Sequence, residues 1–114
     1  MIAVIFEVFP GEGEKSRYLD IAGQIKPELE KIPGFISVER FQSLTNPDKV
    51  LSLSFFEDEK ALENWRNLEA HREAQNHGRN GVFRDYRLRV ASVLRDYGLN
   101  ERDQAPTDSK NFHR

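Results

Sequence analysis

Apolar residues run unbroken from Ile2 to Phe6 and resume at Val8 and Phe9, and Pro10-Gly11 stops the run. With the period of two that a strand imposes, Ile2, Val4, Phe6 and Val8 face one way. Ala3, Ile5 and Phe9 face the other, with Glu7 among them. A strand apolar on both sides is covered on both sides. From residue 12 the period changes. Tyr18, Ala22, Ile25, Leu29 and Ile32 recur at the i, i+4, i+7, i+11, i+14 spacing of one helical face, which predicts a helix over 12–32. Pro27 inside it removes a backbone donor and crowds the carbonyl of Gly23, so a kink is expected there. Pro33-Gly34 ends the helix.

Phe35 to Ser43 reads as a second strand, with Ile36 and Val38 on one face and Phe35 and Phe41 on the other. Thr45-Asn46-Pro47-Asp48 is a turn cluster. In the third strand, Val50 to Phe56, Leu51, Leu53 and Phe55 alternate with Val50, Ser52, Ser54 and Phe56. The short turn makes strands two and three an antiparallel hairpin. Asp58 is placed to cap a second helix, with Glu59 in its first turn and Leu62, Trp65 and Leu68 on its apolar face. Beyond Leu68 only Ala70 and Ala74 continue the pattern, so residues 69–77 read as a further turn or a kinked continuation ending at Gly78. Asn80-Gly81 marks a turn. Arg84 to Tyr97 alternates throughout as a fourth strand, longer than the usual ~5–6 residues. Residues 1–98 form the predicted domain, and 99–114 a polar tail expected to fray.

The order β-α-β-β-α-β is that of the ferredoxin-like α+β unit, a four-stranded antiparallel sheet with both helices on one face. The other face is then bare, and Phe41, Phe56 and the alternate set of the first strand are assigned to it. An exposed aromatic patch of that size calls for a partner. Two sheets packed face to face close into a dimeric α+β barrel, the long fourth strand reaching across to the second copy.

Composition narrows the rest. A chain of 114 residues holds one core, and chains this short gain from pairing. The net charge of −2 argues against a nucleic-acid partner. The absence of cysteine removes disulfides, thiolate metal sites and any Cys nucleophile. No apolar stretch approaches the roughly 20 residues of a membrane helix. Met1 leads straight into the first strand with no basic leader, so no membrane association and a cytoplasmic location are expected. Gly11 and Gly13 belong to no phosphate-binding loop, and no serine sits in a nucleophile elbow.

The run Ile32-Pro33-Gly34-Phe35, then Glu39-Arg40-Phe41, then Trp65 with Ala70-His71, and finally Tyr86-Arg87 resembles the antibiotic biosynthesis monooxygenases in order and spacing over residues 1–97. The resemblance implies a cleft between sheet and helices in which an aromatic or quinol-like substrate is oxygenated. In several members this happens without metal or flavin, the deprotonated substrate itself reducing dioxygen. Others of the same fold bind and degrade haem.

On this reading Trp65 walls the substrate cavity, while also serving as a core anchor. His71, with an ordinary pKa of about 6.5, is the candidate proton acceptor, helped by Gln75 one turn on. Phe41, Phe56 and Arg87 are the further substrate-binding candidates. Arg87, Arg89 and Arg95 share a strand face, where they hold a substrate carboxylate or enolate, or else pair with acids across the dimer. The chain also departs from the family. Anthrone-oxidising members carry a Tyr where His71 aligns and an Asn where this chain has Ala61. Haem-degrading members carry an Asn in the first strand, where Phe6 and Glu7 stand here, and a ligating His farther past the Trp, nearer His77. His71 and His77 lie roughly 240° apart around a helix and form no metal-ligand pair, and His113 lies in the tail. The expected function is cofactor-independent oxygenation of a small aromatic, phenolic or quinol-like compound. Haem binding with degradation, and non-catalytic ligand binding by a dimer, are the alternatives.

Overall fold

The structure, a computed structural model, describes residues 1–75 and 82–112, the side chains of 69–75 and 111–112 excepted. Its elements are β1 (Ile2–Pro10), α1 (Lys15–Leu29), β2 (Phe35–Gln42), β3 (Val50–Phe56), α2 (Glu59–Gln75), β4 (Phe83–Ser92) and α3 (Thr107–Phe112). The first four strands and two helices are the predicted β-α-β-β-α-β order. The strands form one antiparallel sheet in the order β2-β3-β1-β4.

Register decides which side chains share a face. Val8, Phe6 and Val4 of β1 stand opposite Val50, Ser52 and Ser54 of β3. They stand opposite Tyr86, Leu88 and Val90 of β4 on the other side. Gln42, Arg40 and Val38 of β2 complete the three rows. This face meets α1, whose Tyr18, Ala22, Ile25 and Leu29 are all buried, as the helical period required. The helix runs on through Pro27 to Leu29. Residues 12–14 lie outside it, and Gly13 turns the chain into it with φ of 74°. The predicted cap of α2 forms, the Ala61 N–H donating to Asp58 Oδ1 at 2.9 Å. The helix continues unbroken to Gln75, so 69–75 is no separate element. The turn after Gln75 expected around Gly78 and Asn80-Gly81 lies outside the described residues.

Four sequence expectations change. Phe35 and Val38 both pack on the helix side, and Ile36 is exposed, because the β2–β3 register slips between Phe35 and Ser37. A bulge of one residue exchanges the faces before it. Phe56 is not on the uncovered face. It is fully buried beneath the helices, its ring 5.8 Å from that of Phe35. The fourth strand ends at Ser92, shorter than expected; its ladder with β1 ends at the Ile2–Ser92 pair, and beyond it the Val93 N–H donates to the Met1 carbonyl at 3.0 Å. Finally, the polar tail contains α3, and Arg102 bridges to it, donating to Ser109 Oγ at 2.7 Å and to the Gly98 carbonyl at 3.1 Å.

The buried core is in two pieces. Val4, Leu29, Phe56, Ala61 and Leu62 form one cluster, with Phe35, Val38 and Trp65 against it. Val8, Tyr18, Val50 and Val82 form the other, with Phe6 and Ile21 against it. Between them the sheet and α1 do not close.

Candidate active site

The gap between the two clusters is a cavity of about 490 Å³. Its floor is the sheet face carrying Val4, Phe6, Val38 and Leu88, and its roof is the stripe Tyr18, Ile21, Ala22, Ile25 and Leu29 of α1. Trp65 closes one side from α2, half-buried and touching the first core cluster. The one indole thus packs on the core and lines the cavity. The opposite end is aromatic. Phe83 packs edge-on against Phe6 at 5.8 Å and against Tyr18 at 5.7 Å, and Tyr86 lies 5.5 Å from Phe6. Offset and edge-to-face rings at these separations hold one another in place and leave their remaining faces to a guest.

Polar groups are few. Ser52 and Ser54, each 9% exposed, stand on β3 in the cavity floor. Arg40 lies directly across from Ser52 on β2 and also lines the cavity. Its Nε is buried and meets no hydrogen-bond acceptor among the described residues. Arg84 and Asp85 line the β4 end. The Asp85 carboxylate accepts from the Tyr86 N–H at 2.8 Å, and the Arg84 guanidinium stands 5.6 Å from the Phe9 ring.

Of the residues singled out in the sequence, the cavity gathers Trp65. Phe56 lies beneath it in the core and does not line it. Phe41 and Arg87 occupy one row on the opposite face of the sheet, Phe41–Leu51–Glu7–Arg87. Arg89, on that same face, pairs within its own chain, at 3.0 Å from Glu7, and Lys49 stands 3.3 Å from the other oxygen of the same carboxylate. The hydrogen bond from Arg89, then that from Lys49, holds the Glu7 carboxyl below the ordinary carboxylate range. His71 and Gln75 belong to α2 one turn apart, but their side chains, like His77 and His113, lie outside the described residues. Arg40 was missed. The signal was available: with period two it is in phase with Val38, a charge on the stripe that faces the helices.

The fold and cavity place the chain among known proteins. The family model for antibiotic biosynthesis monooxygenases matches residues 1–77. A jasmonate monooxygenase of Pyricularia oryzae is 48% identical over 101 residues, covering 89% of this chain and 47% of that protein. The chain thus spans about half the length of the curated relative it matches. Among solved structures, a candidate antibiotic biosynthesis monooxygenase of Deinococcus radiodurans superposes with a TM-score of 0.72 at 10% identity, covering 86% of this chain and 97% of that one. The haem-degrader MhuD of Mycobacterium tuberculosis, solved with two haems in its active site, superposes with a TM-score of 0.69 at 18% identity, covering 86% and 100%. At those identities the superpositions establish the shared fold, and the sequence match establishes more: this chain belongs to the antibiotic biosynthesis monooxygenase family.

Proposed function

We propose that this chain is a monooxygenase that oxidises a small aromatic, phenolic or quinol-like compound, or a cyclic compound of similar bulk, inside the helix–sheet cavity. The observation that carries the reading is the cavity itself: about 490 Å³ of largely apolar, ring-lined space beside Trp65 in a chain of this family. A non-catalytic ligand-binding protein of the same fold would hold the same cavity, so oxygen uptake, and not the cavity, separates the two readings. Dimerisation is part of the proposal. The face away from the helices carries half-buried Ile5, Leu51, Leu53 and Phe55 and exposed Phe41, and a second copy packed there covers them. Phe41 and Arg87 are assigned to that contact rather than to the substrate.

In a cofactor-independent course the substrate supplies every electron. An activated CH2 becomes C=O, one atom of dioxygen enters the product, and the other leaves as water with the two hydrogens. His71 is proposed to take the first proton, with Gln75 beside it on the helix, and the cavity keeps water from the resulting carbanion. For haem, the described cavity lining supplies no His, Met or Cys as an axial ligand. A His ligand would come from residues outside the described set, whereas the phenols of Tyr18 and Tyr86 line the cavity, and a haemin titration decides the haem reading: a shifted Soret band at stoichiometric haem would favour it.

The Pyricularia relative's name points to a further compound to try, jasmonate, which joins phenols, hydroquinones and anthrones in the test panel. Oxygen uptake by the purified protein, with no added reductant, is expected for at least one of them. His71→Ala is expected to slow it by about a hundredfold or more, in line with removal of a general base. Unchanged turnover in that variant would remove His71 from the mechanism.

A further inference from the structure

The polar groups on the cavity floor form a pattern that an apolar substrate alone does not explain. Arg40, Ser52 and Ser54 come from adjacent strands, and directly opposed residues in an antiparallel pair hold their Cβ atoms about 4.5–5.5 Å apart. Ser52 is directly opposite Arg40, and Ser54 is the next inward-facing residue of β3. No described residue hydrogen-bonds to either hydroxyl, and none forms an ion pair with Arg40. Asp85 is the one carboxylate among the described lining residues. It stands on β4, three strand spacings from β2, or about 14 Å at the spacing of a sheet. It is too distant to neutralise Arg40.

Arg40 is partly buried, and its Nε–H is held out of solvent with no acceptor among the described residues, which is costly for a buried donor. A bound anion changes that balance. The Nε–H edge, with the neighbouring Nη–H, presents two parallel donors that match the two oxygens of a carboxylate. A phenolate or enolate, with one oxygen, uses half of that fork. A phosphate dianion asks for more positive charge than one guanidinium.

Resting on the proposed cavity chemistry, we propose that Arg40, with the hydroxyls of Ser52 and Ser54, binds the carboxylate of a substrate whose remaining body is apolar. The carboxylate anchors at the β2–β3 floor. The apolar body extends past Trp65 and Phe6 toward the aromatic end. Arg40 is thus a specificity-determining residue.

Trp65 is the sole tryptophan of the chain, so its emission reports occupancy of the cavity directly. The test titrates 4-phenylbutyrate and its methyl ester against the intact protein. The acid is expected to bind about thirtyfold or more tightly than the ester, and Arg40→Met to abolish that preference while leaving ester binding within about twofold. Arg40→Lys retains the charge without the fork and is expected to keep only a small part of the preference. If Arg40→Met does not fold, the wild-type ratio and Arg40→Lys decide. Equal binding of acid and ester to the wild type, or an unchanged ratio in either folded variant, overturns the anion site and leaves the cavity reading standing. If neither probe alters Trp65 emission, both fall.

Discussion

At the scale of the residue, charge placement has the clearest consequences. Glu7 lies on the central strand, on the face away from the helices, and Arg89 and Lys49 lower its carboxyl pKa. A carboxylate whose folded value is below the unfolded value of about 4.3 stabilises the fold above that pH, and the contribution is lost as pH falls through the folded value. The urea midpoint is therefore expected to drop as pH is lowered below about 4.3, and Glu7→Gln to flatten that limb while behaving like wild type when both are normalised at neutral pH. High salt weakens the effect, because the cluster is partly exposed. Much of this was legible in the sequence. Glu7 interrupts an apolar run, and an Arg-rich last strand invites a pairing. Which acid meets which arginine was not legible, since that follows from register. Arg89 finds its partner on its own sheet rather than across a dimer.

At the scale of the element, the hydrophobic period marked the strands and the roof of the cavity, because each is a local repeat, and Asp58 marked the cap of α2, because capping needs only a neighbouring side-chain oxygen. The two faces of β2 were misread before Val38 because a bulge leaves no mark in a pattern of period two. The position that ties β2 to α2 is Gly34. Its φ of 88° is left-handed, and a Cβ there would stand 2.8 Å from the Ala61 Cβ of α2. The Gly34 carbonyl also accepts from the Glu57 N–H at 2.7 Å. Gly34→Ala is expected to cost about 1–3 kcal/mol, the range for a strained backbone position, read as a lower urea midpoint. A midpoint unchanged within error would show that α2 can shift away at no cost. The Pro33-Gly34 pair was recognised in the sequence as a stop. The close approach of α2 was not, because it depends on how the helix packs.

At the scale of the whole molecule, two empty regions organise the account. One is the cavity between two core clusters, which sequence patterning could not reveal: Ser52 and Ser54 keep strand alternation while failing to fill space. The other is the uncovered face of the sheet, which patterning did reveal through the second apolar set of β1 and Phe41, although it put Phe56 there in place of Leu51, Leu53 and Phe55 of β3. A dimer covering that face is expected in sedimentation equilibrium. Leu53→Glu, which sets a carboxylate at its centre, is expected to give monomer, whereas a wild-type monomer would dismiss the barrel arrangement.

The central claim is that oxygenation takes place in the helix–sheet cavity. Ile25 lines the cavity from α1, so Ile25→Trp fills that space while Trp65 and the sheet face away from the helices keep their own residues. The decisive measurement is mass spectrometry of the product formed under oxygen-18 gas by wild type and by this variant, on whichever panel compound drives oxygen uptake. The account predicts one labelled oxygen atom in the wild-type product and loss of product in the folded variant. An unlabelled product, or turnover undiminished by the blocked cavity, would contradict it.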